Sequence, residues 1–117
     1  LAILRVGYRA RSGYEFFQHA DIAMRVGVSA DAVERVKAGP GAEGWTEEER
    51  AVLAATDQLH ERQFIDDAGW AALAFLGDEG RTELVFAVGQ YQMVSMVLNT
   101  LGVQVEEGKE VDAALRA

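Results

Sequence analysis

The chain has 117 residues, half of them apolar and 26% charged, with no cysteine, a formal net charge of −8 and a sequence pI near 4.7. Such a length and composition suit one folded domain with one ordinary hydrophobic core and exclude a disordered tail. The acidic balance argues against nucleic acid or an anionic membrane surface as partner, and without thiols there is no disulfide framework, cysteine-held metal or thiol nucleophile.

No basic leader with an apolar stretch and cleavage site opens the chain, and no uninterrupted apolar run approaches the roughly 18 residues of a membrane span, so it reads as cytoplasmic. Leu1 to Arg5 begin inside an apolar-periodic segment with no capping signal. The sequence therefore reads as a single domain, 1–117, lacking upstream residues.

Apolar residues recur with helical period throughout, which predicts an all-α domain. Leu1 to about Ala10 reads as the end of a first helix, with Ile3, Leu4 and Tyr8 on its buried side. Ser12, three residues before Glu15, has capping-box spacing and opens a second helix to about Val26, which Gly27 stops. Its apolar stripe is Phe16, Phe17, Ala20, Ala23 and Met24. Ser29 and Asp31 start a short helix through Ala38, broken by Gly39-Pro40-Gly41. Thr46 and Glu49 form a second capping box, opening a helix to about Arg62 with Val52, Leu53, Ala55, Thr56 and Leu59 inward, and Trp45 stands as a hydrophobic staple against Arg50 or Val52.

Asp66 or Asp67 caps a helix through Leu76 with Trp70, Leu73 and Ala74 inside. Asp78 then begins a last long helix, from about Gly80 to Leu101, that is apolar nearly all round. A domain this small cannot bury such a helix alone, so self-association is expected. Glu83, Gln90, Gln92, Ser95 and Asn99 interrupt it, either as inter-helix hydrogen-bonding groups or as the lining of a pocket. Beyond Gly102, Val103 to Val105 and the Glu/Lys-rich end read as an extended strap and a weak terminal helix.

The pair with most chemical content is Glu15 and His19. Four residues apart on a helix, they share one face, next to Phe16 and Ala20, at the edge of the apolar stripe and partly buried. A carboxylate beside an imidazole favours its cationic form and makes a proton-transfer device; the plainer alternative is a surface ion pair adding about 0.3–0.5 kcal/mol. His60, with Asp57 three residues before it, reads as a cation at a helix C-terminus. No phosphate-binding glycine loop, dinucleotide fingerprint, zinc-helix motif or nucleophile elbow is present, so neither metal nor cofactor is expected.

Tyr14-Glu15-Phe16-Phe17-Gln18-His19, followed by Ala23, Gly27 and Ser29, resembles the carboxymuconolactone decarboxylase family. Trp45-Thr46-Glu47-Glu48-Glu49-Arg50, Asp57-x-Leu59-His60, Ile65-x-Asp67-x-x-Trp70 and Val88-Gly89-Gln90-Tyr91 look like the same family's C-terminal half, so the resemblance covers nearly the whole chain. It implies a helical alkyl hydroperoxidase D-like domain, oligomeric as a dimer, trimer or hexamer, with sites near subunit contacts. In the thiol branch of that superfamily the motif is Cys-x-x-Cys-x-x-x-His. Aligned on His19, the two cysteines fall on Ser12 and Glu15, so peroxide reduction by a dithiol is not expected. A glutamate of the family's preceding helix would fall at or before Leu1.

The resemblance implies a carboxy-lyase acting on a small lactone carboxylate, as in aromatic degradation, with His19 as general acid/base and Glu15 setting its charge and orientation. Arg9 and Arg11 are the candidate clamps for the substrate carboxylate, with Arg5 as a further local cation. Tyr14, Phe16 and Tyr91 are candidate substrate contacts; Phe17, Trp70 and Met93 could line the same apolar pocket or simply form core. The competing readings are a non-catalytic oligomeric binding module of the same fold, and isomerase or hydratase chemistry using the same histidine.

Overall fold

A computed structural model describes residues 1–103; the expected strap and terminal helix lie outside the described residues from position 104 onward. Among the described residues there are six α-helices and one short 3₁₀ turn, and no strand: α1 Ala2–Arg9, α2 Gly13–Arg25, α3 Ala30–Ala38, α4 Glu47–Arg62, α5 Asp67–Ala72, the 3₁₀ turn Ala74–Leu76, and α6 Gly77–Leu101.

Local chemistry sets most of these boundaries. Arg11 takes a left-handed backbone, φ 58°, and turns the chain between α1 and α2. Ser12 then caps α2, its hydroxyl accepting from the Glu15 N–H at 3.3 Å. The box is only half made, because the Glu15 carboxylate points to His19 instead of back to the cap. Ser29 and Asp66 cap α3 and α5 by the same side-chain acceptance. Thr46 and Glu49 complete the reciprocal box at the start of α4, which satisfies two of the amides a helix N-terminus leaves unpaired.

Two boundaries differ from the sequence expectation. The helix opened by Asp66 ends at Ala72 and tightens into the 3₁₀ turn, and α6 starts at Gly77, with Asp78 inside its first turn and no side-chain cap. The cause is tertiary: Leu73 is fully buried, and turning it inward leaves Trp70 36% exposed and Ala74 at the surface, where both were expected inside. Met24, expected on the buried stripe of α2, is likewise exposed at 46%.

The core gathers Leu4, Phe16, Val33, Val36, Trp45 and Leu53 from the first four helices and the α3–α4 loop. Trp45 is buried and donates its indole N–H to the Gly39 carbonyl at 3.0 Å, with the Arg35 guanidinium over its ring. Arg5 is the polar tie of this core. It forks onto both oxygens of Asp57 at 2.7 and 3.0 Å and donates to the Val36 and Lys37 carbonyls at the end of α3. Gly39, at φ 88°, is required there, since a Cβ would lie 2.9 Å from that guanidinium.

Helix α6 lies across α1 and α4. Val88 and Ser95 are buried, while Phe86 and Leu101 are both 72% exposed and Val85, Met93, Met96 and Val97 are also open to solvent. By length and composition the segment from Ala74 to Leu101 could cross a membrane, but it carries Arg81 and Glu83 and packs one face on α1 and α4. Of the polar interruptions, Asn99 bonds between helices, its amide donating to the Ala10 carbonyl at 3.0 Å.

Candidate functional site

Glu15 and His19 sit one turn apart on α2, and the structure brings their side chains together. Nδ1 of His19 lies 2.8 Å from Oε1 of Glu15, with the carboxylate side chain 5% exposed and the imidazole 20%. His19 is partly buried, as its stripe-edge position suggested, and Glu15 is buried more deeply than that. The contact is close but lacks the alignment of a hydrogen bond, and neither atom has a hydrogen-bond partner among the described residues. Burial pushes the Glu15 carboxyl above the ordinary carboxylate value, and the charge of His19 pulls it the other way by a smaller amount.

Two neighbours shape this pair. Tyr91 of α6 meets the His19 ring edge-on, centroids 5.0 Å apart at 72°, which fixes the imidazole plane and puts a phenol at the same site. Gly7 of α1 packs beneath Glu15: a Cβ placed on it would contact the Glu15 Cγ at 3.5 Å. With Nδ1 turned to Glu15, Nε2 is the ring nitrogen left to exchange a proton with a ligand.

The other sequence candidates scatter. Tyr14 is half-buried in the first turn of α2. Phe16 is part of the core, in edge contact with Tyr8 at 5.8 Å. Arg9 is engaged by two carboxylates, Glu61 at 2.7 Å and Asp57 at 3.3 Å. Arg11 is exposed and has no ion-pair partner among the described residues. Arg5 is held by Asp57 and by α3, as described above, so it is a structural cation.

Asp57, read from the sequence with His60, instead joins α4 to both arginines of α1. His60 turns to α6, its Nδ1 3.3 Å from Oε1 of Gln92. A shallow groove of about 300 Å³ opens beside that contact, lined by Leu59, Gln63, Val88, Gln92 and Met96 among others. No group of three or more potential metal-binding side chains occurs among the described residues. Sequence reasoning missed the Arg5–Asp57 tie because the partners are 52 positions apart and nothing local signals the pairing.

Six helices, with the long α6 laid across α1 and α4, make an all-α fold. No protein-family model matches the chain, and no curated protein does. A solved structure does: a protein of unknown function from Agrobacterium tumefaciens, proposed to be the antioxidant defence protein AhpD, superposes with a TM-score of 0.81 at 21% identity over 90% of this chain and 75% of that one. At that identity the likeness establishes the fold alone.

Proposed function

We propose that the chain is a carboxymuconolactone decarboxylase-like carboxy-lyase acting on a small lactone carboxylate, with His19 as the acid/base group and Glu15 as its orienting partner. The observation that carries this reading is the buried Glu15–His19 contact, 2.8 Å, set against Tyr91. In the reaction the C–C bond to the carboxylate breaks, its electron pair passes into the conjugated lactone as a dienolate, and carbon dioxide leaves. His19 then gives its proton to the dienolate carbon through Nε2 and is reprotonated from solvent. Buried Glu15 stabilises the imidazolium that performs this step.

Dithiol peroxide reduction is not proposed: Ser12 caps α2 and Glu15 holds His19 where that chemistry would need two thiols. Of the two clamps proposed for the substrate carboxylate, Arg11 is the cation not already neutralised, since Arg9 faces Asp57 and Glu61. That neutralisation favours one other reading, an oligomeric binding module for a less charged ligand. Tyr91, already against His19, supplies a phenol contact in either case.

We further propose a soluble, cytoplasmic homo-oligomer assembled on the open face of α6, whose exposed row includes Phe86, Met93, Val97 and Leu101. Contiguous apolar surface of this kind marks an interaction site. The deciding experiment follows the chromophore of 4-carboxymuconolactone on mixing with the protein and with His19→Ala. Turnover lost in the variant supports the decarboxylase; no turnover by the folded parent moves the assignment to another ligand.

A further inference from the structure

Four buried side-chain polar atoms have no hydrogen-bond partner among the described residues: Glu15 Oε1, His19 Nδ1, Ser95 Oγ and Arg81 Nε. Glu15 and His19 face each other. Ser95 lies 80 positions away in the sequence, fully buried on α6, and belongs to neither the core cluster nor the pair as described.

Its place is set by two contacts that bracket it on the same helix. Four residues earlier, Tyr91 meets His19 ring to ring; four residues later, Asn99 donates to the Ala10 carbonyl at the turn between α1 and α2. Four residues advance about 6 Å along a helix, so between these anchors Ser95 falls at the level midway from His19 to that turn. Glu15 lies one turn before His19 on α2, with Gly7 of α1 packed against it, so the same rise brings it toward that level. Positions 91, 95 and 99 share one face, and the burial of Ser95 confirms that this face is turned inward.

The hydroxyl is also uncommitted. A serine or threonine within a helix commonly bonds the carbonyl four residues back, as Thr56 does to Val52 and Thr82 to Asp78. Ser95 makes no such bond. A buried idle hydroxyl is costly, so it is retained where it has a partner in the working state.

We propose that Ser95 is a positioning residue of the Glu15–His19 site, its hydroxyl donating to the Glu15 carboxylate through one bridging water and so keeping that carboxylate ionised and aimed at the imidazole. The inference rests on the pair being the functional site, and not on which reaction it performs. Of the cations on the neighbouring segments, Arg5 and Arg9 of α1 are turned to Asp57 and Glu61, Lys37 of α3 is paired with Glu34 and lies over the Phe16 ring, and Arg11 of the α1–α2 turn is exposed.

The test is the side-chain carboxyl titration of Glu15, followed by carbon-13 NMR on the whole chain, in the parent, in Ser95→Ala and in Asn99→Ala. Ser95→Ala should raise the Glu15 midpoint above that of the parent. Asn99→Ala, which breaks a different bond between α6 and the α1–α2 turn, should lower thermal stability and leave the midpoint in place. An unchanged midpoint in Ser95→Ala with a raised melting temperature would identify an idle hydroxyl and overturn the proposal. A midpoint moved equally by both variants would do so too, by tracing the shift to loosened packing, as would failure of Ser95→Ala to fold. Because the readout needs no substrate, loss of the decarboxylase assignment would not affect it.

Discussion

At the scale of single residues the proposed proton donor is His19. Truncating it, His19→Ala, should lower turnover of a lactone carboxylate by about 10²–10⁴-fold, the ordinary worth of a general acid, with folding intact by circular dichroism. The carboxylate behind it has a measurable signature in stability. Burial raises the Glu15 carboxyl above its ordinary value, so between the two values the folded chain keeps a proton that the unfolded chain has released. Stability then falls as pH rises through that window. Glu15→Gln removes the effect, and the melting temperature of the variant relative to the parent should climb as pH rises above the ordinary carboxylate value. A difference that stays flat across that range would show the carboxylate to be relaxed in the fold. This pair and its partial burial were legible in the sequence because spacing and stripe position are properties of one helix; the nearly complete burial of Glu15 was not, because the cover comes from Gly7 and Tyr91 on other helices.

Among the helices, cooperation is concentrated where α1, α3 and α4 meet. Arg5 and Asp57 are nearly buried, at 7% and 16% side-chain exposure, and form a two-pronged pair. Arg5→Met should destabilise by about 3–5 kcal/mol, since it leaves Asp57 without its closest partner and the α3 carbonyls without a donor; chemical denaturation provides the check, and Asp57 facing Arg9 alone sets how far the loss is softened. The helix starts at Ser12, Ser29, Thr46 and Asp66 could be read in advance, because a cap is a contact between residues three apart. The end of α5 could not. No glycine or proline marks it, and the chain leaves the helix there because Leu73 reaches the interior while Trp70 remains outside, its ring under the Arg81 guanidinium.

The molecule as a whole is shaped by the unfinished burial of α6. One side of this helix closes over α1 and the Glu15–His19 pair, and the opposite side presents Phe86, Met96 and Leu101 to solvent. If a second copy covers that side, Phe86→Glu should weaken self-association by on the order of a hundredfold or more, since it would bury a carboxylate without a partner. Light scattering on sized fractions would report the change in mass, and a parent that is already monomeric would refute the assembly. The same arrangement puts the candidate site directly beneath the proposed interface, so association and ligand binding should be coupled.

The sequence by itself determined the helices, most of their starts and the Glu15–His19 pair, because each depends on residues within one or two turns of one another and on side-chain chemistry that acts at that range. Only the way the helices cross decided that Arg5 is bound to Asp57, that Arg9 is shared between Asp57 and Glu61, and that Ser95 is fully buried on α6. That crossing is set by the summed packing of the core and is written in no local pattern of residues.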